Sequence, residues 1–445
     1  MNRKSSAIAP FILLLLASVA QAQTVQTVTV DYSVNNGPVT YRASGFLHGI
    51  TSTTPPAAVV NPMNGKLFRG DDADDMLNAS NYARVVGQGA VNMFILGDAW
   101  IDNYGGYNAT NARIVTSSEM ANWNAMVASI VNSAIANGQT FQWDIWNEPD
   151  ISQFWTGTEA QYQEMWQNAV NTIRGISSSQ IIVGPSTCCS PWGSWATDLM
   201  AFAKTNNVLP NIVSVHELNS PSQLESDVAT IKSYLAANDP GITQVDTTEI
   251  VDSGSNYLPG MNVKYLAAAE HAGVNAAAHA CWSTPDCAEG GNPYSLDGLT
   301  NNGRIANWYA YQAYANITGN LVGVTPSADV DGVAGSNSST GQAYSVFGID
   351  NTTTSVNFVF TNIPSYLVVG GDVHVTAYLL TNDKGAGSTG PTQSINANYA
   401  VSSGSITVTY TKLAPYQVAI IQLTGAAATS RAPAPPTVLS AIVQQ

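Results

Sequence analysis

Short apolar runs alternate with helical patterns from about residue 41 to residue 315. Eight of these runs are mostly apolar, as expected of parallel strands that are buried on both faces. They cover residues 45–50, 66–69, 91–96, 141–146, 180–184, 212–216, 244–250 and 276–282. Eight strands that alternate with helices over about 275 residues are typical of a (β/α)8 barrel. A doubly wound open sheet is the alternative, and it is less favoured because no Gly-x-Gly-x-x-Gly turn follows the first run.

The helices between these runs have recognisable starts. Thr116 with Glu119, and Thr158 with Gln161, have the spacing of a capping box, in which two side chains satisfy the free amides of the first turn. Apolar residues follow each pair at helical spacing, and Gly138 and Gly175 mark the ends. These patterns support the assignment of strand–helix units.

The pattern changes after about residue 316. Runs at 343–349, 355–361, 373–380, 405–410 and 416–423 alternate or are apolar, with Gly, Asn, Ser and Thr between them. They predict a small antiparallel β-sandwich, and the strand-like residues 24–30 are expected to pair with it. The predicted organisation is a signal peptide at 1–22, an N-terminal strand segment at 23–40, a catalytic barrel at 41–315, a β-sandwich at 316–424 and a disordered tail at 425–445.

The net charge and the N-terminal residues indicate where the protein acts and which partners it does not bind. The chain has 15 Lys and Arg against 30 Asp and Glu, and its net charge of −15 argues against nucleic-acid binding. No apolar stretch long enough for a membrane span follows the N-terminus. Arg3 and Lys4 precede a short apolar run, and Ala20-Gln21-Ala22 has the form of a cleavage site. We therefore expect a secreted protein whose mature chain starts at Gln23.

The four cysteines allow three pairings. An exported chain meets an oxidising compartment where disulfides persist. A short loop closed by Cys281 and Cys287 is the favoured pairing, which leaves Cys188 and Cys189 as a strained vicinal disulfide or as free thiols. No Cys-x-x-Cys or His-x-x-His spacing indicates a metal site, so no metal is expected.

Two glutamates stand at the ends of predicted barrel strands. Glu148 ends the fourth strand and Glu249 ends the seventh, 101 residues later. Three strand–helix units fit that spacing, so both carboxylates should lie at the same end of the barrel, where barrel enzymes have their active sites. Two facing carboxylates are what glycoside hydrolysis requires, one as acid and one as nucleophile or base. This chemistry needs no cofactor.

The motif Trp146-Asn147-Glu148-Pro149, together with Thr248-Glu249, resembles the clan A retaining glycoside hydrolases. Within the clan, the string at 143–150 is most similar to glycoside hydrolase family 39, the β-xylosidase group. The resemblance implies that Glu148 is the acid/base and that Glu249 is the nucleophile.

Further site residues follow from the same resemblance. It implies that Asn147 hydrogen-bonds the sugar 2-hydroxyl, that His216 lies near the nucleophile, and that Trp282 forms an aromatic floor under the sugar. Arg69 matches a position that orients the nucleophile. Each has a structural alternative: His216 as a neutral core histidine, Trp282 as ordinary packing, and Arg69 as a partner of a neighbouring Asp.

His48, at the end of the first strand, and Trp155, in the loop after the fourth, are weaker candidates for substrate binding. A loop tryptophan stacks on sugar C–H groups or simply packs in the core.

The sequence therefore predicts a secreted retaining glycoside hydrolase that cleaves plant or microbial polysaccharides or oligosaccharides, exo-acting on pentosides in the manner of a β-xylosidase or α-L-arabinosidase. An endo-acting glycanase of the same clan is an alternative. A non-catalytic carbohydrate-binding protein on a degenerate barrel is another. The expected partner is a carbohydrate, with no nucleic acid and no membrane. The sequence leaves the sugar, the linkage and the oligomeric state open.

Overall fold

The chain forms a closed barrel and a second, nine-stranded sheet. The computed structural model describes residues 25–48, 50–97, 114–188, 192–280 and 304–425. Strand β1 (Val25–Pro38) precedes the barrel in sequence but belongs to the second sheet. Within the described residues, no helix is long and apolar enough to cross a membrane.

The barrel consists of eight parallel strands in sequence order, closed by the pairing of the first with the last. This confirms the predicted fold and the eight predicted runs. The strands are β2 (Gly45–Leu47), β3 (Leu67–Gly70), β4 (Val91–Leu96), β5 (Gln142–Ile145), β6 (Ile181–Thr187), β7 (Ile212–Glu217), β8 (Val245–Ile250) and β9 (Ala277–His279).

Helices alternate with these strands along the chain. They are α1 (Ala57–Val60), α2 (Ala73–Leu77), α3 (Ala79–Gly87), α4 (Ser117–Ala136), α5 (Glu159–Ile176), α6 (Ser194–Thr205), α7 (Pro221–Asn238), α8 (Pro259–Ala272) and α9 (Ala306–Ala315). Both predicted capping boxes are present, at Thr116 for α4 and at Thr158 for α5. Short 3-10 turns occupy Asn61–Met63 and Ser365–Leu367.

The barrel interior changes from apolar to polar along its axis. Leu67 and Ile212, near the starts of their strands, belong to a small buried cluster with Met93, Val183 and Ala278. Residues two apart share a face of a strand, so Arg69 follows Leu67 into the interior, and Ser214 and His216 follow Ile212. The C-terminal end of the barrel is therefore lined by buried polar groups.

The second sheet contains β1 and eight later strands in the order β15-β14-β17-β12-β11-β10-β1-β13-β16. The later strands are β10 (Asn320–Thr325), β11 (Val330–Asn337), β12 (Gln342–Ile349), β13 (Thr354–Thr361), β14 (Asp372–Leu380), β15 (Thr392–Ala400), β16 (Ile406–Leu413) and β17 (Val418–Gly425). Its two edges approach each other, since Ser394 Oγ of β15 lies 2.6 Å from the Tyr410 hydroxyl of β16. The sheet encloses one hydrophobic core. Phe347 and Phe358 belong to this core, and their ring centroids lie 4.6 Å apart.

The strands after the barrel pair antiparallel, as predicted, and one further pairing in the sheet is parallel. Strand β1 lies between β10 and β13, and its pairing with β13 is parallel. Sequence patterns missed β10, β11 and β15. Strand β15 is a largely exposed edge strand without apolar alternation, and β11 contains two glycines. Glycine and polar residues are depleted in strands, so the pattern gave no strand signal there.

The barrel and the second sheet pack closely through α8. The Gly260 amide donates a hydrogen bond to the Tyr416 carbonyl at 2.9 Å. A side chain at Gly260 would meet the Ile349 carbonyl oxygen at 2.3 Å, so only glycine fits this contact. Lys264 and Asp350 form an ion pair of 2.6 Å across the same interface.

Candidate active site

Glu148 lies just beyond the end of β5 in an unusual backbone conformation. Trp146 and Glu148 have φ values of 73° and 46°, which few residues other than glycine adopt. The Glu148 amide donates to the Ser186 carbonyl at 3.0 Å, and the Ile151 amide donates to the Glu148 carbonyl at 3.1 Å. These bonds hold a strained turn, a feature that is common where a functional side chain must be aimed.

Glu249 projects from β8 towards the same point. His216, on the neighbouring strand β7, connects the two glutamates: its Nδ1 lies 2.7 Å from Glu148 Oε1 and 3.7 Å from Glu249 Oε1. The imidazole is fully buried, whereas the glutamate side chains are 9% and 12% exposed. Both carboxyl groups therefore reach the pocket surface while most of each is shielded from water.

Arg69 organises the floor of the site. It is fully buried, and its three nitrogens donate to Asp144 at 2.8 Å, Glu249 at 2.9 Å and Asn147 at 2.9 Å. Burial opposes the charge of Arg69, but the carboxylates of Asp144 and Glu249 hold its pKa above the usual value. The predicted contact between Arg69 and Glu249 is present, so the alternative of a partner at Asp71 or Asp72 does not describe its main contacts.

Two serine hydroxyl groups form a hydrogen-bond network with Asp144, the buried partner of Arg69. Ser186 Oγ donates to Asp144 Oδ1 at 2.6 Å and lies 2.6 Å from Ser214 Oγ. Asp144 therefore accepts hydrogen bonds from both Arg69 and Ser186. Because these groups are far apart in sequence, only the closed barrel brings them together.

The site opens into a cavity of about 470 Å³. Arg69, Asn147, Glu148 and Glu249 line it, together with His48, Asp71, Phe154, Asn219 and Asp252. His48 Nδ1 lies 3.8 Å from Asp71 Oδ1. Burial would raise the pKa of Asp71, but the hydrogen bond with His48 and the charges of His48 and Arg69 lower it. The candidate His48 therefore belongs to the pocket wall.

Burial sets the protonation of the central groups. It raises the pKa of Glu148 above 4.5, against the opposing effects of a hydrogen bond with Cys188 and the charge of Arg69. It lowers the pKa of His216 to about 4, so the imidazole is neutral at neutral pH. Burial also raises the pKa of Asp150 to about 6, although the Cys188 amide donates to both of its carboxylate oxygens.

Trp155 is packed in the core. Its side chain is almost fully buried, its Nε1 donates to the Thr158 carbonyl at 3.0 Å, and its ring meets Trp146 and Tyr162 edge-on. It does not belong to the wall of the described cavity. Its contacts are those of a residue that supports the turn bearing Glu148.

Several predicted residues fall outside the described part of the chain. These are Trp282 and the three cysteines Cys189, Cys281 and Cys287. The aromatic floor and both disulfide predictions remain predictions. Cys188 is buried next to Glu148, and ligand atoms of Glu148, Cys188 and His216 lie within 4.8 Å of one another. This group has the donor atoms for a soft metal ion, although it sits where the substrate would bind.

Sequence reasoning missed Asp150, Asp71 and Asp252 as parts of the site. Asp150 follows the Asn-Glu-Pro motif directly, and that position was a usable signal. Asp252 lies three residues beyond Glu249, in the loop after β8. Asp71 and Asp252 each lie within three residues of a strand end, which was the usable signal for these two.

The family model for glycosyl hydrolases family 39 matches residues 108–253, a segment that contains both glutamates. A β-xylosidase from Caldicellulosiruptor saccharolyticus is 24% identical over 122 residues. That match covers 25% of this chain and 24% of the relative, so it spans about a quarter of the relative's length. These matches confirm the resemblance to family 39.

Solved structures with low sequence identity have the same fold. The structure of N2152 from Neocallimastix frontalis is 24% identical with a TM-score of 0.77, over 91% of this chain and 100% of that one. A family 39 enzyme from Xanthomonas axonopodis pv. citri is 14% identical with a TM-score of 0.68, over 92% of this chain and 100% of that one. Both similarities include the barrel and the second sheet.

Proposed function

We propose that the protein is a retaining glycoside hydrolase of the β-xylosidase type. The observation that carries this proposal is the pair of glutamates on β5 and β8 that face one cavity and share His216 Nδ1. The match to family 39 and the β-xylosidase relative support the reaction class and favour a pentoside as substrate.

The spacing of the glutamates favours retention over inversion. Retaining enzymes place their two carboxyl groups about 5–5.5 Å apart, and inverting enzymes place them about 6.5–9.5 Å apart. Glu148 Oε1 and Glu249 Oε1 lie 2.7 and 3.7 Å from one nitrogen atom, so their separation cannot exceed the sum of these distances. This limit applies to the two oxygen atoms nearest His216, and such a close approach favours the narrower retaining spacing over the wider inverting one.

The surroundings of the two glutamates support different roles. Burial raises the pKa of Glu148, which favours the protonated carboxyl group that must donate to the leaving oxygen. Arg69 holds a positive charge 2.9 Å from Glu249 Oε1 and fixes its position for attack on the anomeric carbon. The attack breaks the glycosidic bond and forms a glycosyl ester on Glu249. Glu148 then removes a proton from the water that hydrolyses this ester.

The test is hydrolysis of a panel of aryl glycosides: β-xyloside, α-L-arabinofuranoside, β-glucoside and β-galactoside. We expect cleavage of a pentoside, with a loss of at least about a thousand-fold in kcat/KM in Glu249→Ala. Glu148→Ala should lose most where the leaving group is poor, because such a group needs protonation. Glu164→Ala, which changes an exposed glutamate on α5, serves as the matched control and should retain full activity.

The alternatives predict other outcomes of the same experiment. An endo-acting glycanase would leave the aryl glycosides intact and degrade a polysaccharide, because it needs several occupied subsites. A non-catalytic binding protein would cleave neither. Wild-type turnover in Glu249→Ala would contradict the assigned nucleophile.

We also propose that residues 1–22 direct export and are removed. The support is the basic start, the short apolar run and the Ala-Gln-Ala site. Expression of the full chain, followed by N-terminal sequencing of protein from the medium or periplasm, should give Gln23. An intact N-terminus on cell-retained protein would contradict export.

A further inference from the structure

Three ionisable side chains meet where the barrel packs on the second sheet, away from the cavity. Glu225 comes from α7, His271 from the last turn of α8 and Asp331 from β11. His271 Nδ1 lies 3.5 Å from Glu225 Oε1 and 3.7 Å from Asp331 Oδ2. One ligand atom from each residue lies within 4.8 Å of the other two.

We propose that Glu225, His271 and Asp331 form a binding site for a divalent transition-metal ion, with Zn²⁺ the best match. One imidazole nitrogen and two carboxylate oxygens are ligands that Zn²⁺ accepts, with water in the fourth position. A bound ion would join two barrel helices to a strand of the second sheet. Its role would be structural, and it is independent of the proposed hydrolase activity.

Two of the three ligand separations are close to the edges of a coordination tetrahedron. Bonds of about 2.0–2.2 Å from Zn²⁺ to nitrogen and oxygen place neighbouring ligand atoms about 3.3–3.6 Å apart. The two observed separations are 3.5 and 3.7 Å. A direct hydrogen bond would draw nitrogen and oxygen to about 2.7–3.2 Å. The imidazole nitrogen thus faces two carboxylates from a distance that suits a shared ion.

The charges around the site also favour a cation. Within the described residues, no Lys or Arg forms an ion pair with Glu225 or Asp331, and Lys264, which lies nearby, pairs with Asp350 at 2.6 Å. A divalent ion between His271 and the two carboxylates would balance the negative charges of both.

The buried carboxylate is already oriented. Asp331 Oδ1 accepts a hydrogen bond from the Gly332 amide at 2.7 Å, which turns Oδ2 towards His271. Such bonds from surrounding groups fix the direction of metal ligands. The side chain of Asp331 is 10% exposed and that of Glu225 is 42% exposed. An ion could therefore enter from the Glu225 side, and the Glu225 carboxylate is free to adjust.

The test is the thermal unfolding of metal-stripped protein with and without Zn²⁺ at neutral pH. We expect saturating Zn²⁺ to raise the Tm of the wild type by roughly 2–4 °C, because an ion that binds only the folded state stabilises it. His271→Ala and Glu225→Gln should abolish this rise. His374→Ala changes a histidine whose ring bonds to Asn396 and Asn398, and it should keep the rise.

Bound Co²⁺ gives a second readout, because a tetrahedral site produces intense visible absorption. We expect this absorption in the wild type and in His374→Ala, and we expect its loss in Glu225→Gln. The Glu225 side chain is half-exposed, so Glu225→Gln should fold normally. An equal rise in Tm in the wild type and in both site variants would place the ion elsewhere, for example at Glu148, Cys188 and His216. That result, or no rise in the wild type, would overturn the proposal. Neither outcome bears on the hydrolase assignment, because the test uses no substrate.

Discussion

Arg69 shows how one residue couples the stability of the barrel to the geometry of its active site. Its guanidinium is fully buried and contacts Asp144, Asn147 and Glu249. Removal of one member of a buried ion pair leaves a charge without compensation and costs about 3–5 kcal/mol. Arg69 therefore contributes to stability, and in the mechanism that we propose it also positions Glu249.

We predict that Arg69→Met lowers the free energy of unfolding by about 3–5 kcal/mol, because the Asp144 carboxylate is left buried without its partner. Urea unfolding measures this change. Addition of Asp144→Asn to Arg69→Met should recover part of the stability but not the activity, since Glu249 still lacks its positioning contact. Full stability in the single variant would contradict this role.

The pH dependence of activity should identify the acid. Burial raises the pKa of Glu148. In the proposed mechanism its protonated form is the active one, so kcat/KM should fall as the pH rises through that pKa. In Glu148→Gln the alkaline limb of the profile should disappear, with an activated aryl glycoside as substrate. An unchanged alkaline limb in this variant would assign the limb to another group.

The two catalytic candidates were predictable because the active site of this fold lies at the ends of its strands. The position of each glutamate at a strand end can be recognised from the local sequence alone. The partners of Arg69 were not predictable in the same way. Asp144 lies 75 residues from Arg69 along the chain, and nothing in the local sequence distinguishes a buried Asp that faces a guanidinium from one that faces a hydroxyl. The positive φ angles at Trp146 and Glu148 also depend on tertiary contacts.

At the scale of elements, the helix starts were the most predictable features. A capping box depends on side chains within four residues, so sequence alone specifies it. Strand patterns failed for β10, β11 and β15. Strands β11 and β15 each pair with a strand next to them in the chain, but glycines and polar residues remove the apolar alternation that would indicate a strand. Strand β10 pairs with β1, almost 300 residues earlier, and no local pattern reports such a partner.

The capping box of α5 gives a prediction at this scale. Thr158→Ala removes the acceptor for the Gln161 amide and should reduce stability by about 0.5–2 kcal/mol. Thermal or urea unfolding measures the change. Thr230→Ala, at an exposed position within α7, is the control and should change stability by less than about 0.5 kcal/mol. Equal effects at both positions would contradict a specific contribution of the cap.

At the scale of the whole molecule, Glu217 links stability to pH. It is fully buried at the end of β7, and neither carboxylate oxygen has a hydrogen-bond partner among the described residues. Burial, with a smaller contribution from Asp227, raises its pKa to about 8. Between pH 4.5 and 8 the unfolded chain loses this proton while the folded chain keeps it, so stability falls as the pH rises.

We predict that Glu217→Gln has little effect on stability at pH 4 and raises it by up to a few kcal/mol at pH 8 relative to the wild type, because the amide cannot ionise. Unfolding curves of both proteins at the two pH values provide the test. A stability difference that is independent of pH would show that Glu217 does not ionise in this window.

The most direct test of the central claim is to trap the glycosyl–enzyme. A 2-deoxy-2-fluoro glycoside of the sugar that the protein cleaves, with a good leaving group, should inactivate it with time. The fluorine slows both formation and hydrolysis of the ester, and the good leaving group restores the rate of formation only, so the ester accumulates. Peptide mass spectrometry should then find one sugar on Glu249, and the first product from an ordinary substrate should retain its anomeric configuration. A label on another residue, or an inverted product, would contradict the double-displacement mechanism that we assign to Glu148 and Glu249.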